Sequence, residues 1–448
     1  MQLVAYGAQD VYLTGNPQIT FFKVVYRRHT NFAMESIQQT FNGNATALGS
    51  RVSCTVSRNG DLIHKMYLRV KIPSVLLAGT TVFNWANKLG LALIKNVELE
   101  IGGQRIDKHY GDWMNIWNEL SLPESKRAGY NELVGAQGSS SQVIDANVGK
   151  TLTQGTDTTA AKLGSGASDT LAGVTLNIPL EFWFCRNPGL ALPLIALQYH
   201  EVKVNVEYNT AEWLNYKTAA GTVTVSGGTA TTAAGAASFS LGESALWVDY
   251  IYLDTDERRR FAQTSHEYLI EQLQFTGEES VTKGTENASI RLNFNHPVKE
   301  LVWVAQPSAN VATETKAGNQ FQYDIYSDGA TEQTHGTGLR VNPVASATLK
   351  LNGHDRMAQR DGTYYNSVQP FQHHTRVPSD KGINVYSFAL KPEEHQPSGT
   401  CNMSRIDVAQ LQMNFVAHST SSLGVRVYAT NYNVLRIMSG MGGLAYAN

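Results

Sequence analysis

Alternation of apolar and polar residues with a period of two is the pattern that most constrains how this 448-residue chain can fold. It recurs along most of the chain, in the segments Met66–Ile72, Val97–Ile101, Val202–Tyr208, Ile290–Phe294, Ala347–Leu351 and Leu411–Phe415. Because successive side chains of a strand point to opposite faces, each segment predicts a strand with one apolar and one polar face. Sheets of this kind are usually antiparallel. The pattern therefore predicts an all-β protein.

Helical periodicity is scarce, and the best case is a segment at 112–120. Its apolar residues follow the spacing of one helix face: Trp113, Ile116, Trp117 and Leu120. Asp112 stands where its side chain can cap the first turn. We expect one short helix here that packs on a sheet; the alternative is a helix that binds a partner.

The chain also contains a degenerate internal repeat. The block VELEIGGQRIDKHYGDWMN (97–115) is matched by ATLKLNGHDRMAQRDGTYYN (347–366) with one inserted residue, so that Gly111 aligns with Gly362. A second pair of matched blocks, each with an aromatic strand, two prolines and an alternating strand, follows each first block in the same order. Two matched pairs in one order predict two similar all-β domains in tandem.

The junction between the two domains is expected near Asp254 to Ser265. The predicted division is an N-terminal arm, a first domain, a second domain and a C-terminal tail: 1–21, 22–255, 256–437 and 438–448. The arm and the small-residue tail are candidates for contacts between subunits or on an inner face.

Three stretches differ in composition, being rich in Gly, Ala, Ser and Thr: 138–174, 216–245 and 306–346. Long insertions in surface loops cost little closure entropy, because that cost grows only with the logarithm of length. Strand-like sequence resumes after each stretch, so we expect extended loops on a sheet scaffold; linkers between domains are the alternative.

Composition excludes several classes of protein. The formal net charge is −2 and charged residues make up 17% of the chain, which argues against a disordered chain, a coiled coil or a broadly basic nucleic-acid-binding protein. The three cysteines lie far apart in the sequence, and this spacing fits neither a disulfide scaffold nor a zinc site. The N-terminus lacks a secretory pattern and no apolar run reaches 18 residues, so we expect a protein made in the cytosol that crosses no membrane by the secretory route.

A search for catalytic and metal-binding motifs finds only weak patterns. The pairs at 200–201 and 266–267 (His-Glu) lack a second histidine, and the pair at 373–374 (His-His) lacks nearby carboxylates and predicts a surface role. Asp254 and Asp256 suggest a solvated turn. Basic clusters at 23–29 and 258–260 are expected to pack against acidic protein surfaces rather than nucleic acid. We therefore predict no enzyme, no catalytic residue, no cofactor and no metal.

The opening segment YGAQDVYLTGNPQITFFKVVYRRHTNF (6–32) resembles the N-terminal signature of the major capsid proteins of nucleocytoplasmic large DNA viruses. The resemblance is closest to the algal-virus members, the phycodnaviruses and chlorella viruses. Further similar blocks follow in family order: SRNGDLI (57–63), VELEIGGQRIDKHY (97–110), PGLALPLIALQYHEVK (188–203), HEYLIEQLQFTG (266–277), FNHP (294–297), QPSGTCNMSRID (396–407) and NYNVLRIMSGMGGLAYAN (431–448).

The resemblance implies a double jelly roll, two tandem eight-stranded antiparallel β-sandwiches with long surface loops and short helices. It implies homotrimers of pseudo-hexagonal outline that tile the icosahedral outer shell of the virion, with the long loops on the outer surface. Implied partners are the chain itself, neighbouring capsomers, minor capsid proteins beneath the shell and, indirectly, the inner viral membrane. Host surface glycans are a further candidate partner, and direct nucleic-acid contact is not expected.

The resemblance also implies a late glycoprotein, made and assembled in the host cytoplasm. Three asparagines in Asn-x-Ser/Thr patterns are the candidate glycan sites: Asn44, Asn287 and Asn402. Two alternatives stay open at this point. The first is a minor capsid or spike paralogue of the same fold, and the second is a carbohydrate-active β-sandwich, either a lectin or a glycosidase.

Overall fold

The computed structural model describes residues 7–17, 29–78, 82–136, 152–153, 169–171, 173–217, 222–225, 238–311, 320–327, 332–333, 339–416 and 421–446. The strands of the first half are β1 (Phe32–Gln39), β2 (Arg51–Thr55), β3 (Leu62–Ile72), β4 (Val75–Ala78), β5 (Val82–Trp85), β6 (Ile94–Ile101), β7 (Gln104–Tyr110), β8 (Leu152–Thr153), β9 (Asp169–Leu171), β10 (Val174–Pro179), β11 (Leu192–Pro193), β12 (Val202–Tyr208), β13 (Asn215–Lys217), β14 (Thr222–Val225) and β15 (Glu243–Leu253).

The strands of the second half are β16 (His266–Val281), β17 (Asn287–Arg291), β18 (Pro297–Pro307), β19 (Ile325–Ser327), β20 (Glu332–Gln333), β21 (Leu339–Val341), β22 (Val344–Leu351), β23 (His354–Asp355), β24 (Arg360–Asp361), β25 (Ile383–Ser387), β26 (Cys401–Asn402), β27 (Ala409–Phe415), β28 (Leu423–Met438) and β29 (Met441–Leu444). The α-helices are α1 (Val11–Thr14), α2 (Leu89–Leu93), α3 (Gly111–Ser121), α4 (Glu124–Val134), α5 (Trp183–Arg186), α6 (Thr255–Gln263), α7 (Ser308–Val311) and α8 (Gln369–His373), and a π-helical turn spans Tyr364–Val368.

The larger strands form two sandwiches of the same topology. In the first sandwich one sheet has the order β1-β15-β3-β10 and the other β2-β12-β6-β7. In the second sandwich the orders are β16-β28-β18-β25 and β17-β27-β22-β23. Each strand of the first set has a counterpart in the second, in the same chain order, and every pairing is antiparallel. Each sandwich has its own apolar core, although Ile270, Leu435 and Ile437 of the second half extend the first one. The fold is a double jelly roll.

Individual residues repeat as well. The turn Gly102–Gly103 after β6 and the turn Asn352–Gly353 after β22 both have two successive positive φ angles, of 57° and 83° and of 53° and 78°. Such angles define the tight hairpin turn that Gly and Asn favour. A Cβ on Gly111 would overlap the carbonyl oxygen of Ile94, the first residue of β6; a Cβ on Gly362 would overlap that of Val344, the first residue of β22. The predicted duplication is therefore present in the backbone geometry.

The small-residue stretches are only partly described, and their described parts differ from the expectation of plain loops. They contain short strands, among them β9, β14, β19, β20 and β21, which form small antiparallel sheets. The first or last residues of these sequence stretches also belong to sandwich strands, since β15 begins at Glu243 and β18 ends at Pro307. The small sheets lie beyond the Ile72 end of β3, which we call the loop end of the molecule. The opposite end, with the turns at 102–103 and 352–353, is the turn end.

Candidate assembly surfaces

The predicted helix exists, as α3, and it packs on a sheet as expected. The sheet belongs to the other sandwich. The stripe of α3 lies in an apolar cluster with side chains of β18, β25 and β28 from the second sandwich: Val302, Val304, Ile383, Val385 and Tyr428. The helix therefore joins the two sandwiches of one chain.

Asp112 does not cap α3, and that prediction is wrong: the helix has no side-chain cap at its N-terminus. Its carboxylate instead faces the second sandwich. The Tyr428 hydroxyl donates to Asp112 Oδ2 at 2.6 Å, Arg426 Nε lies 3.1 Å from the same oxygen, and the Tyr323 hydroxyl donates to Oδ1. A buried guanidinium is stable only beside an anion, so the tertiary contact takes the carboxylate away from the local cap.

The other end of α3 carries a second charged link. Glu119 accepts hydrogen bonds from Lys88 at 2.8 Å and from Ser379 at 3.1 Å, and it forms an ion pair with Arg376 of the second half. Burial alone would raise the pKa of Glu119, but Lys88 and Arg376 lower it to about 2. Lys88 and Glu119 also line a polar cavity between the sandwiches, to which the second half contributes Ser379 and Asp380.

A third link is a buried charge chain. Arg186 of the first sandwich lies 3.1 Å from Glu271, whose other oxygen is 2.8 Å from the fully buried Lys299. The Arg186 guanidinium also stacks 4.2 Å from the ring of Trp117. Our sequence reasoning missed these residues. The one signal for them was a charged pair, Lys299 with Glu300, inside an otherwise apolar strand.

The expected surface role of the histidine pair is wrong for His374, whose side chain is fully buried. Its Nε2 lies 3.1 Å from Glu300 and its Nδ1 lies 2.9 Å from Glu393. Burial alone would lower the pKa of His374, but these two carboxylates raise it to about 9. The carboxylates come from 19 and 74 residues away in sequence, so a local search could not find them. His373, next to it, is only half-buried.

The C-terminal tail, where the structure describes it, folds back as β29 along β28 and touches the first sandwich. Tyr199 N donates to Gly440 O at 3.0 Å, and Gly442 N donates to His200 Nδ1 at 3.1 Å. A Cβ on Gly442 would lie 2.6 Å from a methyl group of Leu197, so only glycine fits there without a shift. Of the predicted N-terminal arm only residues 7–17 are described, with the short helix α1.

The remaining sequence candidates have structural surroundings. Asp254 accepts from Thr255 N at 2.8 Å and caps α6, and Arg258 of the basic cluster pairs with Asp61 at 3.0 Å. His266 lies against the Phe261 carbonyl at 2.8 Å. The basic cluster at 23–28 lies outside the described residues. All three cysteines are free thiols, and burial raises the pKa of Cys54 to about 11.

The candidate glycan sites lie at different ends. Asn44 and Asn287 are exposed near the loop end. There the Ser50 hydroxyl donates to the backbone carbonyl of Asn44, and Asn287 pairs with Asn414 of β27. Asn402 is exposed near the turn end, on β26, and its side chain accepts from Ser404 N at 3.1 Å. Asn44 likewise accepts from the Thr46 hydroxyl at 2.9 Å.

No group of three or more His, Cys, Asp or Glu side chains is placed to hold a metal ion among the residues that the structure describes. Within the same ranges, no helix has the length and apolar character that spanning a bilayer requires.

Among the described residues, large apolar side chains that are exposed mark surfaces that a partner can cover. On the first sandwich they include Phe32 and Met34 of the edge strand β1, and Tyr199. On the second sandwich they include Val368, Phe371 and Leu390.

Known proteins resemble the whole chain. Residues 20–254 match the family described as "Major capsid protein N-terminus", and residues 257–443 match "Large eukaryotic DNA virus major capsid protein". The major capsid protein of Pyramimonas orientalis virus is 51% identical and that of Phaeocystis pouchetii virus 49% identical, each over 100% of this chain and 99% of the relative. A subunit of the PBCV-1 virus capsid is 38% identical with a TM-score of 0.71, over 96% of this chain and all of that one. The chain belongs to the family of large eukaryotic DNA virus major capsid proteins, and it is a structural component of the virion shell.

Proposed function

We propose that three copies of this chain form one capsomer of pseudo-hexagonal outline, and that such trimers tile the icosahedral shell. The observation that carries the proposal is the matched pair of sandwiches, joined by buried aromatic and ionic contacts. Three rigid subunits with two similar sandwiches each present six similar units around a threefold axis. Closed cyclic symmetry is the usual arrangement of identical subunits.

The proposed division of the chain is an arm at 1–21, sandwiches at 22–255 and 256–437, and a tail at 438–448. Helix α6 separates the last strand of the first sandwich from the first strand of the second, which supports a boundary beside residue 255. The arm and the tail are proposed to contact neighbouring subunits or the inner face.

The loop end is proposed to face outward, and the turn end to face the minor capsid proteins and, indirectly, the inner membrane. This orientation separates the candidate glycan sites. Asn287 and Asn44 are then placed outside, whereas Asn402 faces inward. Asn287 is the proposed glycan site, because it is exposed and its side chain makes no turn hydrogen bond with the residues that the structure describes, unlike those of Asn44 and Asn402. Peptide mass mapping of purified virions tests it: glycan on Asn402 alone would contradict this orientation.

The chain is proposed to act without catalysis, through assembly in the host cytoplasm into capsomers and then into the shell. The test is the mass of the purified protein by light scattering, with electron microscopy of the particles. We expect a trimer of about three times 49.1 kDa with six density lobes. A protein that stays monomeric at micromolar concentration would contradict the proposal. One dominant band of this mass in purified virions is expected for a major component.

A further inference from the structure

The two sandwiches are built alike but are covered differently, and the difference lies on equivalent sheet faces. In both sandwiches the third strand has a bulge, at 63–66 in β3 and 298–300 in β18. The core residues Ile63 and Val298 precede it, and both are fully buried. Four residues further along, Tyr67 and Val302 occupy equivalent positions on the outer face of their sheets.

In the second sandwich this outer face is covered from within the chain. Val302 and its neighbour in register, Tyr428, are fully buried beneath Trp113 and Trp117 of α3. Phe275, on the edge strand β16, stacks on Tyr428 with ring centroids 4.8 Å apart. Helix α3 thus supplies the side chains that cover this face.

In the first sandwich, no helix of the described residues packs on the Tyr67–Trp247 part of the equivalent face; α6 packs on the same sheet only nearer the turn end, through Phe261. Tyr67 and its neighbour in register, Trp247, stack in parallel and are only half-buried. Arg69 lies 5.9 Å from the Trp247 ring, and Met34 on the edge strand β1 is half exposed. An aromatic pair therefore lies at the position where the second sandwich packs against α3.

Helix α3 also has a counterpart in the second half of the chain, the helical segment at 364–373. Counted from the matched glycines Gly111 and Gly362, Val368 takes the place of Trp117 and Phe371 the place of Leu120. Trp117 and Leu120 are 4% and 0% exposed, whereas Val368 and Phe371 are 38% and 79% exposed. The positions that face the helix's own sandwich behave differently, because both Met114 and its equivalent Tyr365 are buried. In the 364–373 segment, Val368 and Phe371 are thus left uncovered at two of the positions that α3 uses between sandwiches.

Resting on the proposed trimer, we propose that the 364–373 segment of one copy packs its Val368 and Phe371 onto the Tyr67–Trp247 face of a second copy of this chain. This contact repeats between copies the contact that α3 makes within a copy. It is heterologous, since it joins two different surfaces, and a heterologous contact between identical chains closes into a ring when the rotation permits. Aromatic and large apolar side chains in a desolvated centre are the usual source of binding energy in such an interface.

The experiment is the substitution Phe371→Asp, with light scattering over a dilution series and melting curves of the same samples. Phe371 is largely exposed in one copy, so we expect an unchanged melting temperature of the dissociated chain and a dissociation midpoint raised at least about tenfold. Tyr67→Glu, on the receiving face, has the same expected effect. If Tyr67→Glu lowers the melting temperature, the exposed Ser36 beside it replaces it, as Ser36→Arg. The matched control is Leu133→Asp, at a large apolar residue of α4 that is 41% exposed and belongs to neither surface, and it is expected to leave the trimer intact.

The outcomes separate the two proposals. A wild-type chain that is monomeric overturns both the trimer and this contact. A wild-type trimer that withstands Phe371→Asp, or one that dissociates with Phe371→Asp but withstands the receiving-face variants, overturns this contact alone. Equal dissociation with the Leu133→Asp control overturns it as well, because the effect would then not be specific to the segment.

Discussion

At the scale of single residues, His374 links protonation to stability. Its pKa in the folded chain is about 9, above the value of 6.5 for a free histidine. A pKa raised on folding stabilises the protein fully below about pH 6.5, and the stabilisation is lost as the pH rises through about 9. The largest contribution is on the order of 3 kcal/mol. We expect the free energy of unfolding, measured in urea at pH 6.5 and 9.5, to fall by up to this amount.

The substitution His374→Gln should remove most of that fall and should lower stability at pH 6.5, because the buried Glu300 loses the cation that pairs with it. The control is His373→Gln, at the half-buried neighbour, which should keep the wild-type dependence on pH. An unchanged fall in the His374→Gln variant would contradict the assignment.

The matched glycines give a second prediction at this scale. A methyl group on Gly111 or on Gly362 would overlap a strand carbonyl, so Gly111→Ala and Gly362→Ala should each destabilise the chain by about 2 kcal/mol or more. Gly129 lies in α4 with open space around its Cβ position, and Gly129→Ala should stabilise by up to about 1 kcal/mol. Denaturant midpoints of the three variants check the opposite signs. A neutral Gly111→Ala variant would count against the close packing.

At the scale of elements, α3 decides how the two sandwiches are held. Trp117 packs against the second sandwich and under the Arg186 guanidinium, so Trp117→Ala should cost about 3 to 5 kcal/mol. The loss should fall on the interface, and we expect calorimetry to resolve two unfolding transitions in place of one. Trp213, which is partly exposed, supplies a control as Trp213→Ala with a smaller cost. A single transition with an unchanged midpoint in Trp117→Ala would refute the role of the helix.

At the scale of the whole molecule, the C-terminal hairpin ties the last strand of the chain to the first sandwich. Truncation after Met438 removes β29 and uncovers the surface around Leu197 and Ile101. We expect the truncated chain to keep its β-sheet circular dichroism and to be cut faster by protease near α6, where the sandwiches are connected. The full-length variant Gly443→Ala serves as a control, since its Cβ would meet only a side chain oxygen of Gln104 at 3.3 Å. Equal cutting rates would show that the hairpin does not brace the junction.

Whether a helix of this chain could be predicted from the sequence depends on how much apolar surface it buries. Helix α3 was predictable because it has an apolar stripe, whereas α4 and α6 were not. Only Tyr130 and Val134 of α4 are buried, and no residue of α6 is. A helix that buries little carries no apolar period. The side chains that donate hydrogen bonds to Asp112 come from more than 200 residues away. No local pattern distinguishes a carboxylate that caps its own helix from one that binds a partner in another domain.

The sequence by itself determined the strands, the duplication and the family, because alternation and repeated turns are local properties that survive in any sheet. The tertiary structure alone decided which sheet α3 covers, which carboxylates lie beside the buried Lys299 and His374, and which copies of a repeated surface are left exposed. The physical reason is that alternation specifies that a face is apolar but not what packs against it. That partner is set by the relative placement of two sandwiches whose contacts join residues far apart in the chain.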